Sequence, residues 1–362
     1  MLINQISAVN FRNLCIENIA FSPGLNVLYG KNAQGKTNIL EAIYFCAFGR
    51  ALRGKSDVEL INRHMQDAFV KLEVNRGSQI YIKDIRLKKQ GKKLDKSFLF
   101  DSVPVKHIKD IFGKLLIVMF GPEDLRLIKN GPSERRRFMD MEICQLSPIY
   151  YNDIKEYYRI LKHRNALLKS LQKDKSSIDM LFIWDEQLVY YAKRINRHRF
   201  DFVEKINKTA GEIYKSIAKN EEIDLVYKPG KISEDSLKNN RNKDILNGST
   251  SEGIHTDEIE FNICGINARS FASQGQQRSA VISTKLAEIT LIKDATGETP
   301  ILLLDDILSE LDSYRQGFLF DFVKSQQTIV TAAGLNEFIK KASKKNNVMY
   351  VDNGKIKGAA DG

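Results

Sequence analysis

Apolar residues recur along this chain with two different periods. From Ile3 to Phe11, and again from Phe69 to Val74, they alternate with polar ones, as in half-buried strands. Gln79–Arg86 and Lys96–Phe100, joined through Gln90-Gly91, read as a hairpin with a charged turn region. From about Pro122 the period lengthens, and Pro132 with Ser133 and Glu134 marks a helix start. Ile154, Leu161 and Leu168 recur at sevens, with Tyr157, Tyr158 and Leu171 filling the same face. After the polar turn Gln172–Ser177, Leu181, Leu188, Ile195 and Phe202 recur at sevens again. Two such helices with a short connection predict an antiparallel hairpin whose seam serves packing. A strand is expected at Ile223–Tyr227, a mobile loop over the Ser-, Asn-, Lys- and Gly-rich stretch Gly230–Thr256, and a hairpin at Glu258–Cys264 and Ile266 around Gly265. A helix follows from about Gln274, and the glycine-bearing tail after Asn353 should fray.

Within the first run of strands lies the most specific chemistry. Leu25, Val27 and Leu28 read as a strand, and Asn38–Phe45 as a helix. Between them Gly30-Lys31-Asn32-Ala33-Gln34-Gly35-Lys36-Thr37 fits G-x-x-x-x-G-K-[ST] in the strand–loop–helix context that motif needs. Its glycines let backbone N–H groups curl around phosphate at a helix N-terminus. Lys36 would neutralise the β- and γ-phosphates, and the Thr37 hydroxyl would ligate Mg²⁺.

The second half of such a site is a carboxylate at a strand end. Ile301-Leu302-Leu303-Leu304-Asp305-Asp306 is a buried apolar strand closing on two acids. Asp305 is assigned to the metal and Asp306 to orienting the attacking water, although either could instead cap the turn near Ile307. Most of the chain separates Lys36 from Asp305, far more than a compact kinase or small GTPase would need, and the helical hairpin is the obvious insertion.

Composition adds two points. Hydrophobic residues at 43% and charged ones at 28% are ordinary for a water-soluble globular chain. The formal net charge of +11 favours polyanionic partners, nucleic acid being the commonest, or else reflects lysines spread over solvated faces. The hairpin lysines, including Lys88, Lys92 and Lys93, could meet a phosphate backbone or simply guard a sheet edge. No apolar run reaches the ~18 residues of a membrane span, and the N-terminus does not read as a signal peptide. Cys15, Cys46, Cys144 and Cys264 form no C-x-x-C pair, which suits reduced, mostly buried thiols in the cytoplasm, and the five histidines lack metal-ligand spacing.

Further short segments surround these halves: Phe11-Arg12-Asn13-Leu14, Gly121-Pro122-Glu123-Asp124-Leu125, Pro132-Ser133-Glu134-Arg135-Arg136-Arg137-Phe138, Ser273-Gln274-Gly275-Gln276-Gln277-Arg278 and Ser309-Glu310-Leu311-Asp312. In that order, over nearly the full length, the chain resembles the SMC-like, ABC-type ATPases of chromosome maintenance and repair, and among them the bacterial RecF family. The stretch Lys238–Thr256 is the least family-like. The resemblance implies an α/β ABC-type ATPase head, from 1–121 and 208–362, with an inserted helical lobe over 122–207. It implies ATP and Mg²⁺ as cofactors, with Arg12 and Asn13 near the nucleotide. Ser273, Gly275 and Gln276 would reach the γ-phosphate of a second subunit, so that ATP glues a homodimer.

The same resemblance implies an ATP-dependent DNA-binding protein of recombinational repair and replication. It would bind duplex and some single-stranded DNA near gaps, load recombinase with RecO and RecR, and support the SOS response. Arg50, Arg53, Lys55, Arg135, Arg136 and Arg137 could contact the DNA backbone, although three arginines at a helix start could equally pair with local acids. The resemblance implies a weak, DNA-dependent ATPase, and two departures from the family pattern predict slow, switch-like hydrolysis: the acid after Asp305 is Asp306 rather than Glu, and Ala332 stands where a switch histidine is expected. A transporter's nucleotide-binding subunit would carry that histidine and a short insertion, and a phosphate-loop kinase would need no S-x-G-Q segment.

Overall fold

The computed structural model describes residues 1–53, 56–91, 93–218, 220–334 and 347–357. They form two compact units, one from residues 1–124 and 288–362 and one from 125–287.

The first unit holds two six-stranded sheets. In one, strands Asn347–Asp352, Leu25–Tyr29, Thr328–Ala332, Ile301–Leu304 and Ile117–Phe120 lie side by side in parallel, with Lys355–Lys357 antiparallel at the edge. Their short, almost wholly apolar runs suit parallel strands buried on both faces. The phosphate-loop strand and the Asp305 strand are not neighbours, because Thr328–Ala332 lies between them. The other sheet is antiparallel, in the order Cys15–Ala20, Leu2–Val9, Asp67–Arg76, Gln79–Gln90, Lys93–Phe100 and Val103–Pro104. Alternation places Ala68, Val70, Leu72 and Val74 inside. Gln327 ties the two sheets by accepting from the Ile3 N–H at 2.7 Å and donating to the Ile3 carbonyl at 2.8 Å.

The tail does not fray up to residue 357. Lys355–Lys357 pairs with Tyr350–Asp352, and the Cys15 N–H donates to the Gly354 carbonyl at 2.9 Å. Residues 358–362 of that tail lie outside the described residues, as do Lys55 and Lys92.

The second unit is built on helices Pro132–Leu146, Pro148–Leu171 and Leu181–Ile217. Every residue of the two heptad series is buried, and of the flanking positions only Tyr158 points outward, at 41% exposure. Helix Leu181–Ile217 runs on past residue 207 and leads into the three-stranded sheet Ile223–Lys228, Glu258–Ile263 and Ile266–Asn267. Residues 208–287, expected with the ATPase head, therefore pack with the helical unit.

The stretch Gly230–Thr256 is a correction to the expected mobile loop. It forms helices Glu234–Asn239 and Arg241–Asn247, the first held by a reciprocal Ser233–Ser236 capping box. Leu237 and Ile245 are buried, and buried Asp244 accepts from Arg164 at 2.8 Å.

Candidate nucleotide site

The phosphate loop is shaped by three residues in the left-handed or glycine region, Gly30 (φ 154°), Ala33 (φ 64°) and Gly35 (φ 107°). At Gly30 only hydrogen fits, since a Cβ would stand 2.3 Å from the Val351 carbonyl oxygen. Lys31, Asn32 and Ala33 form the exposed apex, while Gly35 and Lys36 are buried at the start of helix Lys36–Phe48. The Lys36 ammonium folds back to donate to the carbonyls of Gly30 at 2.6 Å and Lys31 at 2.7 Å. Burial pushes its pKa down, against the opposing pull of the Asp306 and Asp305 carboxylates.

Strand adjacency brings the second half of the site to this loop. Asp305 is 9% exposed, and its Oδ1 accepts from Thr37 Oγ1 at 2.8 Å and from Thr331 Oγ1 at 2.9 Å. Asp306 turns the chain in the left-handed region (φ 48°), and its N–H donates to Thr331 Oγ1 at 2.9 Å. Ser309 donates to the Asp306 carbonyl, and Asp312 caps helix Ser313–Val323 by accepting from the Arg315 N–H. The donor set fits a nucleotide with a hard divalent cation. A glycine-shaped loop opening a helix and a buried ammonium suit phosphate, and a hydroxyl beside a carboxylate suits Mg²⁺.

The loop is braced from two sides. Gln34 accepts the Gly354 N–H on its carbonyl at 2.8 Å and the Asn353 N–H on Oε1 at 2.7 Å. Asn13 accepts from Asn38 Nδ2 at 2.8 Å and stands where a Cβ on Gly35 would go. Arg12 (φ 55°) forms a two-pronged pair with Glu41, with Nε at 3.0 Å and Nη2 at 3.1 Å, and donates to the carbonyls of Glu59 and Arg53. Arg12 thus packs beside the loop through Glu41, which is wholly buried. A lone carboxylate in an apolar helix needs such a partner, and that was the available signal for it. Thr331, with no charge and no motif, gave no signal.

The other expected residues fall in different surroundings. Arg50 and Arg53 are exposed beyond the phosphate-loop helix. In the second unit, Arg135 is 4% exposed, pairs with both oxygens of Glu258 at 2.6 and 2.7 Å, and donates to the carbonyls of Leu127 and Asn130. It pins a helix to a strand, the pairing with a local acid that the sequence left open. Arg136 is half-buried and donates to the Asp257 carbonyl at 2.8 Å, and Arg137 is half-buried. Ser273 is exposed at the start of helix Gln274–Thr296, with Gly275 in its first turn. Its hydroxyl accepts from the Gln276 N–H at 3.2 Å while Gln276 Oε1 accepts from the Ser273 N–H at 2.8 Å, a reciprocal cap.

The family model described as RecF/RecN/SMC N terminal domain matches residues 2–357. The DNA replication and repair protein RecF of Lachnoclostridium phytofermentans is 41% identical over 360 residues, covering 98% of this chain and 99% of its own. A solved structure of the recombination mediator protein RecF-ATPrS in the RecFOR pathway superposes with a TM-score of 0.91 at 30% identity, covering 99% of this chain and 98% of that one. The corresponding RecF-ATP structure gives 0.88 at 30% identity, covering 98% of both chains.

Proposed function

The chain belongs to the RecF/RecN/SMC N-terminal domain family, among its RecF proteins of DNA replication and repair, and on that footing we propose that it is an ATP-switched DNA-binding protein of recombinational repair. Its fold is the ABC-type ATPase head of that family. The observation that carries the reading is the junction of the phosphate loop with Asp305 through Thr37.

Gly30, Lys31, Asn32, Ala33, Gln34 and Gly35 orient the phosphate chain of ATP with backbone N–H groups. Lys36 exchanges its two carbonyl partners for phosphate oxygens. Thr37 and Asp305 would hold Mg²⁺, and Asp306 would orient the attacking water and accept its proton. Bound Mg·ATP would supply a transferable γ-phosphoryl group and a negative charge for cationic side chains and N–H donors to meet. Ser273, Gly275 and Gln276 of a partner subunit complete that set, so that two heads close on ATP and part after hydrolysis. Asp306 in place of Glu, and Ala332 without an imidazole, make hydrolysis slow and the closed dimer long-lived.

DNA contact through basic side chains, Arg50, Arg53, Arg136 and Arg137 among them, is to phosphate rather than to bases. Its affinity falls steeply with salt and varies little with sequence. Duplex DNA near gaps, some single-stranded DNA, RecO and RecR are the partners, with recombinase loading and support of the SOS response as the outcome. The site of action is the cytoplasm. No helix among the described residues is long and apolar enough to cross a membrane.

The test is the oligomeric state by light scattering, with a slowly hydrolysed ATP analogue and Mg²⁺, with and without duplex DNA. Dimers that need nucleotide and are strengthened by DNA support the reading. A chain that stays monomeric under all conditions removes it.

A further inference from the structure

One buried hydroxyl joins the two acids of the nucleotide site. Thr331, 1% exposed, lies near the end of the strand that separates the phosphate-loop strand from the Asp305 strand. A carboxylate only accepts and an N–H only donates, so both bonds of this hydroxyl have a fixed direction. Its proton goes to Asp305 Oδ1 at 2.9 Å, and its lone pair takes the Asp306 N–H at 2.9 Å. The Asp305 oxygen that it reaches is the one Thr37 also holds, at 2.8 Å. One torsion of Thr331 therefore orients the carboxylate assigned to the metal and anchors the backbone of the acid assigned to the water.

That anchor matters because Asp306 is a non-glycine residue at φ 48°. Such a conformation persists only where its surroundings over-determine it. The residue after Thr331 is Ala332, which offers no polar side chain to the site.

We propose that Thr331 is a positioning residue of this site, setting the metal-binding orientation of Asp305 and the left-handed turn at Asp306. This rests on the ATPase reading above. Groups that orient a metal ligand typically change metal affinity by ~10–100-fold when removed. The β-branched shape also fills the strand interior, so shape and hydroxyl have to be separated by the choice of variants.

The full-length chain is compared with Thr331→Ser, Thr331→Val and Thr331→Ala. Fluorescent ATP is titrated in EDTA and at graded Mg²⁺, single-turnover hydrolysis is followed at saturating ATP, and melting curves are recorded. Thr331→Ser keeps the hydroxyl and is expected to behave as the parent. Thr331→Val keeps the shape, should melt near the parent and bind nucleotide equally in EDTA, yet need ~10-fold more Mg²⁺ for half-maximal binding and hydrolyse ~10–100-fold more slowly. Thr331→Ala should show the same Mg²⁺ shift.

A parent-like Mg²⁺ requirement in either Val or Ala overturns the proposal and leaves Thr331 a packing residue. Unfolding of both also overturns it, because the hydroxyl is then a requirement of the fold. Failure of the ATPase reading looks different: the parent itself then binds no nucleotide, with or without Mg²⁺.

Discussion

Thr37 Oγ1 donates to Asp305 Oδ1 across 2.8 Å, joining the first turn of the phosphate-loop helix to the end of a strand from the far part of the sequence. The two strands that deliver them are kept apart by Thr328–Ala332, so the contact depends on a parallel sheet assembled from distant segments. A nucleotide site of this kind exists only in the folded unit. Its ligands should therefore stabilise the whole sheet, by mass action on the native state.

Lys36→Met should lose that stabilisation. The ammonium donates to the Gly30 and Lys31 carbonyls, and the proposed function gives it the phosphate to bind. Removing a charge-assisted contact of this type costs about 1.5–3 kcal/mol of binding, roughly ten- to a hundredfold in affinity. ATP titration and the rise in melting temperature on adding Mg·ATP check it. Parent-like ATP binding in the variant would remove the phosphate role of Lys36.

Gly354→Ala should weaken the site from behind. A Cβ there would lie 1.8 Å from the Asn13 carbonyl oxygen, at a φ of 74°. The turn it occupies donates two N–H groups to Gln34 of the phosphate loop. A loss of about 2 kcal/mol or more is expected, by the scale for strained glycine sites, together with lower ATP affinity. Gly77→Ala, also at positive φ but with nothing within 4 Å, should cost only about 1 kcal/mol. Equal effects at the two glycines would show that the turn does not brace the loop.

The phosphate loop could be read directly because its chemistry is local, with glycines, lysine and threonine contiguous between a strand and a helix. The helical hairpin was legible because Ile154, Leu161 and Leu168, and their counterparts from Leu181 to Phe202, repeat with a fixed period. Thr331 and Gly354 were not, since each acts through residues distant in sequence that only the folded unit brings near. Gly230–Thr256 misled because composition cannot say which polar side chains will find partners. Asp244 found Arg164, and Ser233 found Ser236. Of the two readings left open for Arg135, its guanidinium takes the inward one and pairs with Glu258.

Lys83→Met should stabilise the protein below pH 8, and the gain should fade as pH rises. Lys83 is 1% exposed, with its ammonium 5.0 Å from the Phe100 ring centroid and 3.4 Å from the Ile111 carbonyl oxygen. Burial pushes its pKa down to about 8, from 10.5. The unfolded chain thus holds this proton more tightly, so the destabilisation is fully present below pH 8 and disappears between about pH 8 and 10.5. A shift of that size corresponds to at most about 3 kcal/mol, and the lost ring and carbonyl contacts reduce the net gain. Urea unfolding of both proteins from pH 7 to pH 10 measures it. A stability difference that does not change over this range would show that Lys83 keeps an ordinary pKa.

Ser273→Arg should leave each monomer able to bind ATP yet unable to form the ATP-dependent dimer. Ser273 is exposed and caps helix Gln274–Thr296 in reciprocal bonds with Gln276. Arginine removes that cap, which costs about 1 kcal/mol, and adds bulk where a partner's phosphate would have to approach. Ser273→Ala separates the two effects, since it loses the cap without adding bulk. Both variants should melt slightly below the parent, and both should bind ATP through Gly30–Thr37 with parent-like affinity. Only Ser273→Arg should abolish dimers in sedimentation with a slowly hydrolysed analogue, while Ser273→Ala weakens them. Normal dimerisation of Ser273→Arg would mean that this segment does not work across the subunit interface, and two-headed closure on ATP would need another contact.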